Sequence, residues 1–154
     1  ADPVTRYTKA VAAGKKIAGP HVRAACQRHL DDLLSGHLRG LVFDKKAAQR
    51  AIGFYRDVLR LNGGEFEGIP FELDPAQAFI VGSIFGWMKG DRRRFRTAYG
   101  EMGKGNGKTP MAAGIGLGGI GMVCRCGHGT AFRRMLVRDS SFLVLDQGLH
   151  LKWG

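Results

Sequence analysis

The sequence is poor in cysteine, in acidic residues and in long apolar runs, and each shortage excludes a class of protein. Three cysteines in 154 residues are too few for a disulfide-stapled domain. No run of about 18 uninterrupted apolar residues occurs, so we expect no membrane-spanning helix. The chain begins with neither Met nor the apolar core of a signal peptide. We therefore expect a fragment or a processed product in a reducing, cytoplasmic setting.

Basic residues dominate the charge: 24 Lys and Arg face 13 Asp and Glu, for a formal net charge of +11. Such an excess favours a polyanionic partner, nucleic acid or nucleotide, through Coulomb attraction and counterion release. The 24 glycines are about twice the usual share of roughly 7%, without the three-residue period of collagen. Hydrophobic residues make up 44%, as in a globular domain of ordinary size.

Two amphipathic helices are predicted near the N-terminus. Residues 20–36 place apolar side chains at three- and four-residue spacing behind Pro20, which suits a first helical turn, and Gly36 is a suitable stop. Residues 45–61 repeat this spacing after Asp44, a candidate N-cap.

A third helix and a strand are predicted further along. The helix starts with Asp74 as N-cap and Pro75 in its first turn, and it continues to about Trp87. Its apolar residues cover more than one face, so we expect it to be buried. Residues 94–99 alternate polar and apolar side chains of β-forming types, which predicts a strand.

A glycine-rich loop follows this strand and leads into an apolar helix start. Glycines let backbone N–H groups converge on phosphate oxygens, and a helix N-terminus adds a favourable dipole. We expect Lys108 to reach the β- and γ-phosphates of a nucleotide and the Thr109 hydroxyl to hold Mg²⁺. The spacing departs from the strict G-x-x-x-x-G-K-[ST] pattern, because Met102 stands where the first glycine belongs. The loop reads Gly103-Lys104-Gly105-Asn106-Gly107-Lys108-Thr109.

Several ordered blocks together resemble one family, the large terminase subunit of tailed bacteriophages, an ATPase–nuclease motor that packages viral DNA. The likeness covers residues 1 to about 122 and includes the loop. The blocks upstream of the loop are Asp2-Pro3-Val4-Thr5, Gly19-Pro20-His21-Val22-Arg23, Gly40-Leu41-Val42-Phe43-Asp44, Val58-Leu59-Arg60-Leu61-Asn62-Gly63-Gly64, Pro75-Ala76-Gln77-Ala78-Phe79-Ile80, Ile84-Phe85-Gly86-Trp87 and Arg93-Arg94-Phe95-Arg96-Thr97-Ala98-Tyr99.

The resemblance implies an α/β fold in three parts. Residues 1–73 form a helical N-terminal segment. Residues 74–122 begin a P-loop ATPase domain with an incomplete parallel sheet. Residues 123–154 form a divergent basic tail, which we expect to be out of frame or truncated.

The resemblance also implies roles for individual residues. Lys104 stands at the early basic position of the family's deviant Walker A loop, and Gln77 resembles the adenine-side contact. ATP and Mg²⁺ are then the implied ligands. Double-stranded DNA, the small terminase subunit and the portal are the implied partners, in the cytoplasm of a host cell.

Other parts of the family pattern are missing. A Walker B strand should end in Asp-Glu, but residues 142–147 supply only Asp146 followed by Gln147. No acidic cluster stands in for the nuclease domain. In the tail, Cys124, Cys126 and His128 lack the spacing of a zinc site.

Two alternatives remain open. Residues 89–108 hold seven basic and two acidic residues interleaved with Phe95 and Tyr99, which suits a non-enzymatic nucleic-acid-binding module. A small P-loop kinase is the weaker alternative, because no lid or second acidic motif supports it.

Overall fold

The computed structural model describes residues 2–61, 65, 67–96, 98–101, 107, 109–117, 135–138, 141–144 and 149–152. Its helices are α1 (Pro3–Ala12), α2 (Pro20–Ser35), α3 (Lys45–Val58), α4 (Pro75–Gly86) and α5 (109–117), with a 3-10 helix at Gly36–Arg39. Its strands are β1 (Leu41–Phe43), β2 (Trp87–Lys89), β3 (Arg92–Arg93), β4 (Ala98–Glu101), β5 (Met135–Arg138), β6 (Ser141–Val144) and β7 (Leu149–Lys152). Among the described helices, none is long and apolar enough to cross a bilayer.

Aspartate caps begin three of the helices. Asp44 accepts from the backbone N–H of Ala47 at 3.0 Å, and Asp74 accepts from two N–H groups of the first turn of α4. The predicted starts of these helices are therefore confirmed, as is α2 behind Pro20. Helix α1 has the same signal, Asp2 followed by Pro3, and sequence reasoning missed it.

Helix α3 ends at Val58, three residues before the predicted end. Residues 59–61 instead form hairpin-like backbone hydrogen bonds with residues 68–71. Leu61 donates its N–H to Ile69 at 2.9 Å, and Phe71 donates to Leu59 at 3.2 Å. These backbone bonds compete with a further helical turn.

The first sheet is small and antiparallel, with strand order β1-β2-β3. Leu41 lies opposite Lys89, and Phe43 lies opposite Trp87. The backbone N–H of Asp44 also donates to Gly86 at 2.8 Å. These bonds tie the start of α3 to the end of α4.

The second sheet differs from the predicted parallel core. Its order is β5-β6-β4-β7, in which β4 pairs antiparallel with β6 and parallel with β7. In the part of the chain that is described, a parallel P-loop sheet is therefore not found, and the fold is mixed helix and largely antiparallel sheet. The short connection between β5 and β6 suits their antiparallel pairing, and the parallel pair β4 and β7 is joined by a long stretch of chain.

Helix α4 lies at the centre of the core and is buried from Gln77 to Gly86, as its all-round apolar pattern predicted. It packs against α1 on one side and α3 on another. Phe79 and Trp87 are 1% and 2% exposed. Both are core residues.

Candidate functional site

The end of the glycine-rich loop is joined to the first turn of α5. Gly107 has φ of +66°, a left-handed conformation that favours glycine. Its carbonyl oxygen accepts from the backbone N–H of Met111 at 3.1 Å. Gly107 thus lies at the N-terminal end of α5, where the helix dipole favours a negative charge.

Helix α5 is held in place by Tyr55 of α3. The Tyr55 hydroxyl donates to the carbonyl oxygen of Met111 at 2.6 Å, and burial raises the pKa of this tyrosine. A Cβ at Gly114 would lie 2.4 Å from the tyrosine ring, so only glycine admits this approach. The tyrosine is 1% exposed. Tyr55 thus links α3 to the first described turn of α5.

Gln77 has a structural role and lies beside the loop. Its side-chain oxygen accepts from the backbone N–H of Asp74 at 3.2 Å, which completes a capping box at the start of α4. Its Nε2 lies 3.2 Å from the position that a Cβ on Gly107 would occupy. Gln77 is 8% exposed, so it is not an idle residue on a helix surface. The structure thus brings together two residues that the sequence separates by thirty positions.

The other predicted loop residues are only partly covered by the structure. Thr109 is the first described residue of α5 and is exposed. Residues 103–106 and Lys108 lie outside the described residues, as do Cys124, Cys126 and His128. Within the described ranges, no three His, Cys, Asp or Glu residues are grouped so that they could hold a metal ion.

The buried side chain of His29 connects α2 to α1 and to the start of β2. Its Nδ1 accepts from Trp87 Nε1 at 3.0 Å, and its Nε2 lies 3.3 Å from the Thr5 hydroxyl. Burial lowers the pKa of His29 to about 4, although the carboxylates of Asp2 and Asp32 oppose this shift. His29 is therefore a neutral, fully partnered core residue near pH 7.

An ion-pair network under the first sheet was missed by sequence reasoning. The Asp32 carboxylate, 2% exposed, pairs with both Arg94 and Arg39. The guanidinium of Arg94 also lies 5.4 Å from the Trp87 ring and 4.9 Å from the Phe95 ring. No sequence pattern indicates these pairs, because Asp32 and Arg94 are 62 positions apart.

The basic stretch at residues 89–108 is therefore partly structural. Arg93 stacks 4.4 Å from the Phe85 ring and donates to the Phe85 carbonyl oxygen at 3.4 Å. Phe95 is 4% exposed and packs in the core. The predicted strand at 94–99 begins only at Ala98, because Arg94 and Phe95 are turned into these contacts.

A family model for the terminase large subunit, ATPase domain, matches residues 75–120. Residues 75–120 are thus similar to the terminase ATPase domain. The match agrees with the predicted resemblance over residues 75–120, and it spans less than a third of the chain. No match is found among curated proteins or among solved structures.

The terminase match covers α4, β4, the glycine-rich loop and α5. It thus contains Gln77, Gly107 and Thr109, and it supports a terminase-related, ATPase-type role at the level of the family. The candidate Walker B residues lie beyond the matched segment. There β6 pairs antiparallel with β4, while Asp146 and Gln147 are outside the described residues.

Proposed function

We propose that this chain is the N-terminal part of a terminase motor and that it binds Mg·ATP through residues 103–109. In the intact protein this ATP would power movement of double-stranded DNA into a procapsid, with the small terminase subunit and the portal as partners. The match over residues 75–120 is the observation that carries the proposal. The α/β core would then be an incomplete P-loop ATPase domain.

The geometry around Gly107 supports a nucleotide at this place. A left-handed glycine leads into the N-terminus of α5, where free backbone N–H groups and the helix dipole favour phosphate. Gln77 lies next to that glycine, where its amide could read the edge of a base. Donors for a phosphate and for a base thus lie at neighbouring positions.

The remaining roles follow from the residue types. In this proposal the Lys108 ammonium contacts the terminal phosphates, and the exposed Thr109 offers its hydroxyl to the metal. Mg²⁺ supplies neutralisation of the phosphate charge. A carboxylate that orients water is the part these residues do not provide.

The test is nucleotide binding by Lys108→Ala. We expect a loss of tenfold or more in affinity for an ATP analogue, because a charge-assisted contact contributes roughly 1.5–3 kcal/mol. Lys16→Ala is the matched control, since Lys16 is exposed in the connection between α1 and α2. Circular dichroism of both variants should match that of the unmodified chain.

The same variants separate this proposal from a non-enzymatic DNA-binding module. A module of that kind would bind duplex DNA equally well with and without Lys108 and would not bind the ATP analogue. Equal analogue affinity in Lys108→Ala and Lys16→Ala would contradict the phosphate-loop proposal.

A further inference from the structure

Tyr55 of α3 places a hydroxyl group inside the core, beside the first described turn of α5. The residue is 1% exposed, and its hydroxyl donates to the carbonyl oxygen of Met111 at 2.6 Å. Burial raises the pKa of Tyr55, so the hydroxyl keeps its proton and remains a donor near pH 7. A phenylalanine would fill the same space without burying a polar group. The hydroxyl therefore serves the bond to Met111 rather than the packing of the ring.

Met111 connects this hydroxyl to the end of the glycine-rich loop. The backbone N–H of Met111 donates to the carbonyl oxygen of Gly107 at 3.1 Å, while the Met111 carbonyl oxygen accepts from Tyr55. Gly107 directly precedes Lys108 in the chain. Two successive hydrogen bonds therefore link α3 to the backbone immediately before Lys108.

The close approach of Tyr55 to α5 depends on a glycine. A Cβ at Gly114 would lie 2.4 Å from Cε1 of Tyr55 and 2.8 Å from its hydroxyl oxygen. The tyrosine ring also packs against the ring of Phe71, with 5.5 Å between the ring centroids. Contacts with two separate parts of the chain thus fix the position of the ring and of the hydroxyl that it carries.

Helix α3 is itself packed tightly on α4, the helix that carries Gln77 beside the loop. A Cβ at Gly82 of α4 would lie only 3.2 Å from Cδ1 of Ile52 in α3. Elements packed this closely resist displacement relative to each other. Gly107 is therefore contacted by α4 through Gln77 and linked to α3 through the first turn of α5, and these two helices hold each other in place.

We propose that Tyr55 is a positioning residue for nucleotide binding, and that the N-terminal helical segment thereby forms part of the nucleotide site. This inference rests on the function proposed above for residues 103–109. The Tyr55 hydroxyl does not contact the nucleotide. Through Met111 it fixes where the loop ends and where α5 directs its first N–H groups. A loop that is already in place loses less conformational freedom when the nucleotide binds, so its positioning contributes to affinity.

The experiment measures binding of a non-hydrolysable ATP analogue with Mg²⁺ to the whole chain by calorimetry, at a temperature where circular dichroism shows every variant folded. We expect Tyr55→Phe to raise the Kd about three- to tenfold, the range that one hydrogen bond contributes. Val22→Ala is the control for stability, because Val22 is fully buried in α2 and its truncation also destabilises the fold. Val22→Ala should leave the Kd unchanged.

Lys108→Ala separates failure of this inference from failure of the proposed function. If Lys108→Ala binds the analogue as tightly as the unmodified chain, or if the unmodified chain does not bind it, the loop is not the nucleotide site and both proposals are overturned. If Lys108→Ala weakens binding while Tyr55→Phe does not, only the positioning role is overturned. Equal losses of affinity in Tyr55→Phe and Val22→Ala would also overturn it, because the loss would then follow stability.

Discussion

The hydroxyl of Tyr55 donates a 2.6 Å hydrogen bond to the carbonyl oxygen of Met111, and it thereby joins α3 to the first turn of α5. The described part of α5 contains Gly114 and Gly116, each of which costs a helix about 1 kcal/mol relative to alanine. Intrinsic propensity therefore does not hold this helix. Packing against Tyr55 stabilises the helix instead, and it also fixes the position of the helix N-terminus.

Removing the Tyr55 hydroxyl should loosen that attachment. We expect Tyr55→Phe to lower the free energy of unfolding by about 0.5–1.5 kcal/mol, because the buried hydrogen bond to the Met111 carbonyl is lost. Urea denaturation measures the change. Tyr7→Phe is the control, since the Tyr7 hydroxyl makes no hydrogen bond to any residue that the structure describes. Equal effects of the two variants would show that the Tyr55 bond contributes nothing.

Alanine at Gly114 should destabilise the chain despite its better helix propensity. The new Cβ would lie 2.4 Å from Tyr55 Cε1, so the ring or the helix must shift. Gly53→Ala in α3 is the matched control, because its nearest neighbour is Asp57 Oδ2 at 3.5 Å. We expect Gly53→Ala to raise the thermal midpoint and Gly114→Ala to lower it. A gain in both variants would contradict the close contact.

The free energy of unfolding should decrease as the pH is lowered, because His29 titrates. The unfolded chain binds this proton near pH 6.5, whereas burial holds the pKa of His29 to about 4 in the folded state. Between these values the unfolded state binds more protons, so stability is complete above pH 6.5 and declines towards pH 4. The expected loss is about 3 kcal/mol.

Urea denaturation across this pH range measures the effect. His29→Gln should flatten the dependence, whereas His37→Gln, in the exposed part of the 3-10 helix, should leave it unchanged. A slope that persists in His29→Gln would assign the dependence to other groups.

Catalysis should be weak even where nucleotide binds. Hydrolysis needs a phosphate cradle, a bound Mg²⁺ and a group that orients the attacking water. In the proposed site, residues 103–109 offer the cradle and Thr109 offers a ligand for Mg²⁺, but no residue orients the water. We predict binding of Mg·ATP with turnover near background for this chain, measured as phosphate release. Robust turnover that Asp146→Asn abolishes would instead make residues 142–146 a working Walker B strand.

Local signals in the sequence predicted much of the helical framework. Asp44 and Asp74 each precede a helix and cap it through the side-chain oxygen, and this bond depends only on neighbouring residues. The end of α3 was placed too late, because its competing partners at residues 68–71 are distant in the chain. The same reason applies to the strand at 94–99, which is shortened by contacts with distant residues.

The sequence by itself determined the terminase likeness, the helix starts and the order of strand, glycine-rich loop and helix, because each is a local pattern. Only the tertiary structure decided that Gln77 lies beside Gly107, that Tyr55 holds α5, and that Arg94 pairs with the buried Asp32. It also decided that β4 has an antiparallel neighbour where a parallel sheet was predicted. Such contacts join residues far apart in the chain, and their free energy depends on burial and geometry that exist only once the chain has folded.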